Sequence, residues 1–276
     1  MSCESRIDCK LSVSLRSMRY TRKQTEHFNR ECARLTDALQ QLQLRVVVQG
    51  QPLEATSRLR EHLLHGAARR VGVIKRAVQN IYALFPPETE RPLNPDILAD
   101  VQINLHAFVM NLYGLYDNWA WAYVLKHGLE TVIVDKRHIG LFREATQSKL
   151  PTVLREYLSS QTTTEWHEHY AKSFRDALAH RIPPYIPPAQ FTPEEGNRYN
   201  KLENEKVECI KAHRWQRLEE IYREQAALGL PCLYFLHAYN EDSAPRFLHL
   251  HPQILSDAAA VVEFGNLFLE HWHGDA

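Results

Sequence analysis

A chain of 276 residues with 44% hydrophobic and 24% charged side chains has the composition of an ordinary globular protein, not of a disordered, fibrous or membrane-embedded one. Its 33 Lys and Arg balance its 33 Asp and Glu, which excludes the global basic field of a protein that coats nucleic acid; any such contact must be local. The five cysteines (Cys3, Cys9, Cys32, Cys209 and Cys232) are odd in number, widely spaced and without a C-x-x-C pair, which argues against a zinc site and for a reducing, cytoplasmic setting.

Residues 1–20 carry Arg and Lys but no unbroken apolar run, so they read as a flexible arm rather than a secretory signal, with 21–276 as a single helical domain. From 21 to 48, Phe28, Cys32, Leu35, Leu39, Leu42 and Val46 recur at steps of four and three, the stripe of one helix, and Gly50 is its expected stop. A second helical run over 53–84 carries Leu59, Leu63, Ala67, Ile74, Ala77 and Ile81 and ends before Pro86-Pro87, so the two form an expected antiparallel pair.

Asn94-Pro95-Asp96 combines an N-cap with proline at the first helical position and opens a long helix over 95–126. Its core stripe is Val101, Leu105, Phe108, Leu112, Leu115, Trp119 and Ala122, and a neighbouring stripe is small or polar: Asn104, Ala107, Asn111, Gly114 and Asn118. That second stripe either admits another helix at close range or faces a polar groove. The run from Leu105 to Leu125 is apolar enough to suggest a membrane span, but burying Asp117 in lipid would cost roughly 2.5–3.5 kcal/mol, and a helix buried in a protein core fits better.

Beyond a short apolar piece at 132–134 and a short helix over 150–159, the next strong pattern is a helix over 164–181. Thr163 and Thr164 are its candidate caps, Trp166, Tyr170, Phe174 and Leu178 its apolar face, and Pro183 its stop. Ile182 to Pro188 is a stiff, extended, proline-rich connector. Thr192-Pro193-Glu194-Glu195 then sets a capping box for a highly charged helix over 194–228, whose alternating signs mark a solvated face. Strands over 232–239 and 246–251 form a hairpin across Asn240 to Ser243, and Ser256-Asp257 caps a last helix over 256–272. The fold class is therefore mainly α, a helical bundle with a small C-terminal β-hairpin.

Chemistry is sparse. The glycines form no phosphate-binding loop, and no serine sits in a G-x-S-x-G setting. His237, His249 and His251 could share a face of the hairpin, but two histidines at i, i+2 are short of the three or four converging ligands zinc needs, so they read as packing or surface residues; neither a metal nor a cofactor is expected. What remains is the helix end Arg175-Asp176-Ala177-Leu178-Ala179-His180. Arginine is a fixed cation that can clasp a phosphate, and histidine titrates near neutral pH, so the pair suits phosphodiester chemistry. Asp176 and His180 are i and i+4, the spacing at which a carboxylate can orient an imidazole, and Ala171 and Ala179 leave room on the face of Arg175. Five residues turn a helix through about 500°, so Arg175 and His180 point about 140° apart.

A proline-stopped helix ending in R-x4-H after a long apolar helix resembles the HEPN superfamily, which implies an up-and-down helical bundle. The resemblance covers 95–188 and implies a metal-independent endoribonuclease of toxin or defence type, usually a homodimer with two motifs facing one cleft. It assigns the catalytic roles to Arg175, His180 and Asp176, with Asp117 or Asn118 as the supporting polar residue of the preceding helix. The wider segment, Arg175 to Pro188 and Gln225 to Gly229, also resembles a group of bacterial proteins of unassigned function. RNA or a nucleotide is then the expected ligand. The alternatives are a non-catalytic nucleotide- or RNA-binding module, and a helical protein whose 194–228 segment docks a protein partner.

Overall fold

The structure is a computed structural model and describes residues 19–237 and 246–273. Three long helices form the frame: α1 (Arg22–Gly50), α2 (58–84) and α3 (Pro95–Lys126). Thr21 and Gln24 close a capping box on α1, Ser57 caps α2, and Asn94 caps α3 by accepting from the Asp96 N–H with Pro95 at the first position. The expected start of α2 at residue 53 is five residues early, because 51–57 form turns that end in the Ser57 cap. Helix α2 is not uniform either: residues Glu61–Ala68 adopt π-helical pairing between α-helical ends.

Side-chain bonds fix the direction of packing. Gln43 donates to the Ala68 carbonyl while Lys75 reaches Gln40, and Arg70 reaches Asn118 while Asn80 meets Asn104, so α1, α2 and α3 run up, down and up. The polar stripe of α3 thus serves both purposes that its sequence allowed, since its amides pair with α2 and also line a groove. The apolar stripe is buried as the pattern requires: Leu105, Phe108, Leu112, Trp119 and Phe174 are each at most 2% exposed and belong to one core. Trp119→Ala is expected to cost about 3–5 kcal/mol, read as a lower urea midpoint without loss of helical signal at zero denaturant.

After α3 the chain makes 3-10 turns at Leu129–Thr131 and Lys136–His138, a single helical turn at Glu144–Gln147, and a short helix α4 (Thr152–Ser159). Of the apolar piece at 132–134 only Ile133 is buried. Helix α5 (161–180) begins three residues before the expected position because Ser160, rather than Thr163 or Thr164, supplies the cap. It too contains a π-helical stretch, His167–Ala171. The connector is extended as expected: Tyr185 exchanges two backbone hydrogen bonds with Leu236, Gln190 exchanges two with Leu230, and Ile186 is fully buried.

The expected single helix over 194–228 is two helices, α6 (Pro193–Lys211) and α7 (Trp215–Ala226), turning at Ala212–Arg214 with His213 at φ +53°. Folding back lets Leu202, Cys209, Ile221 and Leu228 share a small core of their own, which one straight helix would leave in water. Arg217 locks the turned pair by bridging Glu205 and Glu224 at 2.8 and 2.7 Å. Strands β1 (Tyr234–His237) and β2 (Arg246–His249) pair antiparallel, with Tyr234 opposite His249. The final helix α8 (Leu250–Glu270) starts six residues before the expected cap. Pro252 is tolerated there because the first turn needs no amide donor at that position. Asp257 is therefore not a cap. It is buried and accepts from the Trp166 indole at 2.8 Å and from Gln253 at 2.9 Å.

The arm expected over 1–20 lies outside the described residues except for Arg19 and Tyr20, and Tyr20 is tied to the bundle by its hydroxyl on the Leu233 carbonyl. The turn expected at Asn240 to Ser243 lies outside them altogether. Among the described residues no helix is long and apolar enough to cross a membrane, and the described cysteines Cys32, Cys209 and Cys232 are free thiols.

Candidate functional site

Helix α5 crosses α3 so that Phe174 and Ala177 enter the core and Arg175 faces a cleft of about 250 Å³ between the two helices and the 137–143 loop. The π-helical stretch His167–Ala171 forms one wall, as such stretches often do at functional sites. Arg175 sits over Tyr113, its guanidinium carbon 4.4 Å from the ring centroid, and its Nη1 lies 2.9 Å from Asp176 Oδ1 in an ion pair. Its Nε is buried with no hydrogen-bond partner, so a donor remains unused beside the cleft. Arg143 and Lys172 add positive charge to the lining, and Tyr116 and Trp166 add aromatic walls.

Asp117 lines the same cleft. It touches water at the mouth, but the protein packed around it pushes its carboxyl above the usual range, against the pull of Arg175, Arg70 and Arg143. His167 is almost fully buried, stacked on Phe142 at 3.6 Å between centroids, with Nδ1 3.3 Å from Glu168 Oε1. Burial pushes its pKa down to about 4, so the ring is neutral at pH 7 and can accept or donate one hydrogen bond but carries no charge.

No protein-family model, no curated protein and no solved structure matches the chain. The site must be read from its own geometry.

Of the five residues singled out in the sequence, the fold brings Arg175, Asp176 and Asp117 together and leaves two elsewhere. His180, in the last turn of α5, is exposed, lies outside the lining of the cleft and, among the described residues, makes no hydrogen bond or ion pair. The expected Asp176–His180 contact is replaced by the Arg175–Asp176 ion pair, because the guanidinium folds back over its neighbour once Tyr113 holds it. Asn118 faces the opposite side of α3, where it accepts from Arg70 Nε at 2.8 Å. The cleft also contains residues the motif did not reveal: Tyr113, Arg143, His167 and Lys172. Arg143 comes from a loop without periodicity, and His167 is aligned by π-helical pairing, so a search at helical spacing passes over both.

Two of the three histidines expected on the hairpin have packing roles. His237 Nε2 is 2.6 Å from Ser173 Oγ and His251 Nε2 is 2.7 Å from the Phe85 carbonyl, both rings being buried, whereas His249 is exposed. Among the described residues no three His, Cys, Asp or Glu side chains converge on a point that could hold a metal ion.

Proposed function

We propose that the protein is a HEPN-like RNA-acting protein that holds an RNA phosphate against Arg175 and, as a twofold homodimer, cleaves the strand with His180. The observation that carries the reading is the cleft itself: an arginine seated over the Tyr113 ring with an unused Nε, flanked by Arg143 and Lys172 and by aromatic walls. Guanidinium and ammonium groups suit phosphate oxygens, and rings of Tyr and Trp suit an unpaired base. The exposed position of His180 fits a site completed by a second copy, since one chain points the two side chains apart. In such a site Asp176 would steady Arg175, and Asp117 would be the supporting polar group.

A second reading, RNA binding without cleavage, is favoured by one observation: within a chain, His180 is not in the cleft and is not oriented by Asp176. One pair of assays separates the two. Binding of a fluorescent single-stranded RNA should weaken at least tenfold in Arg175→Ala, the scale expected for losing a charge-assisted contact of about 1.5–3 kcal/mol, and should be unchanged in His180→Ala. Cleavage should be lost in both. Equal RNA affinity of wild type and Arg175→Ala would overturn the assignment of the cleft, and tight binding with no cleavage by the wild type would leave the binding-module reading.

A further inference from the structure

The far side of α3 carries a second cleft, of about 440 Å³, between α3 and the π-helical stretch Glu61–Ala68. At its centre is Arg70, a half-buried guanidinium that donates from Nε to Asn118 Oδ1 at 2.8 Å and from Nη1 to Asn111 Oδ1 at 3.2 Å. Other contacts hold both amides with their oxygens towards Arg70. Asn111 donates its NH2 to the Ala107 carbonyl, and Asn118 lies with its NH2 3.3 Å from His62 Nδ1. Arg70 is thus gripped by neutral oxygens, and among the described residues no carboxylate stands within ion-pair distance of it. A partly desolvated cation fixed in place with no carboxylate in contact is the arrangement an anionic ligand completes. The space is made by two missing side chains. A Cβ at Gly114 would stand 2.6 Å from Arg70 Cζ, and one at Gly66 would stand 2.4 Å from Asn118 Nδ2. Exposed Arg69, His65 and Glu61 border the same cleft, Glu61 being the one carboxylate among its described lining residues.

The two clefts share one stretch of α3. Tyr113, Tyr116 and Asp117 line the Arg175 side, Asn111 and Asn118 line the Arg70 side, and Asp117 feels both Arg175 and Arg70. A helix with its side chains is about 10–12 Å across, a distance a short extended strand can span. We propose that the Arg70 cradle is a second phosphate-binding site, taking a backbone phosphate of the same RNA strand that lies against Arg175, several nucleotides along from the phosphate held there. The inference rests on the RNA reading of the first cleft.

The test is the affinity of the full-length protein for a fluorescent 12-nucleotide single-stranded RNA, titrated at several salt concentrations. Each phosphate contact contributes about 0.7 to the slope of log affinity against log salt for a single strand. Arg70→Gln should flatten the slope by about that amount and weaken binding about tenfold; Arg69→Glu, on an exposed residue whose replacement leaves the packing intact, should do the same if Arg70→Gln fails to fold. A dinucleotide, too short to reach both clefts, should bind wild type and Arg69→Glu alike. If Arg69→Glu and Arg70→Gln keep the wild-type affinity and slope while Arg175→Ala loses binding, the cradle is overturned and the first cleft stands. If wild type binds no RNA, both fall together.

Discussion

Acidification from pH 7 to 4.5 is expected to unfold this protein, and the cause is three buried neutral histidines. His251 is fully enclosed by Tyr20, Tyr82 and Phe85, its Nε2–H donating to the Phe85 carbonyl; Glu88 favours its charged form and His249 opposes it. His237 sits between Ser173 and Phe174 with Nδ1 unpartnered and Arg246 opposing a charge. His167 is stacked on Phe142, near Glu168, Lys172 and Arg143. Burial pushes each down to about 4 from the ordinary 6.5. The unfolded chain therefore takes up protons that the folded one refuses. Their stabilisation is complete above pH 6.5 and is lost as the pH falls towards 4, by about 3 kcal/mol for each histidine.

Asp257 works in the opposite sense. Burial pushes its carboxyl up to about 6, while Trp166 and Gln253 pull it down. Its ionisation costs the folded state about 3 kcal/mol at pH 7, a cost that fades as the pH falls from 6 towards 4. The histidines outweigh it, leaving a net loss on the order of 5 kcal/mol at pH 4.5, comparable with the whole stability of many domains. Urea unfolding from pH 7.5 to 4.5 should show stability falling below pH 6.5. Asp257→Asn should raise stability at pH 7 by up to about 3 kcal/mol, change it little at pH 4.5, and so steepen the fall. A stability that stays flat over this range would mean that the three rings take up protons without leaving the core.

These histidines also show where sequence and structure part company. Periodicity finds what repeats: the stripes of α1 and α3, the Asn94-Pro95 start and the Pro183 stop all carry their own local signals, and each is where the pattern puts it. It does not find what depends on partners distant in sequence. The turn at His213 carries no Gly or Pro, and its cause is the shared core of Leu202 and Ile221, visible only once α6 and α7 are side by side. Ser256-Asp257 has the chemistry of a cap, but a tryptophan 91 residues away claims the carboxylate. The cleft follows the same rule. Arg175 was legible because it lies near the end of a patterned, proline-stopped helix, and Asp117 only as one of two residues offered by a family resemblance, whereas Arg143 comes from a loop and the Arg70–Asn111–Asn118 cradle needs two helices and two glycines to meet.

The largest kinetic effect is expected at His180, and a mixing experiment locates the site as well as measuring it. In the proposed reaction the ribose 2′-hydroxyl gives up its proton and its oxygen attacks the adjacent phosphorus, the bond to the 5′-oxygen breaks, and the leaving oxygen takes up a proton, so that the step is proton-neutral. The products end in a 2′,3′-cyclic phosphate, DNA survives for want of the 2′-hydroxyl, and chelator does not inhibit. His180 moves the proton and Arg175 meets the charge on the phosphate oxygens, so His180→Ala should lower the rate by about 10²- to 10⁴-fold and Arg175→Ala comparably, whereas Asp176→Asn should cost less. Neither alanine variant should alter the urea midpoint much, because His180 is exposed and Arg175 lies at the edge of the core. If the site is composite, an Arg175→Ala chain and a His180→Ala chain in one dimer rebuild a single intact site from the histidine of the first and the arginine of the second. Random exchange of equal amounts then makes half the dimers mixed, each with one working site of two, and restores about a quarter of wild-type cleavage from two inactive proteins. A site within one chain restores none, because every chain in the mixture lacks one of the two groups. Cleavage that survives undiminished in the Arg175→Ala, His180→Ala double variant would place the chemistry elsewhere and leave this helix end a binding surface.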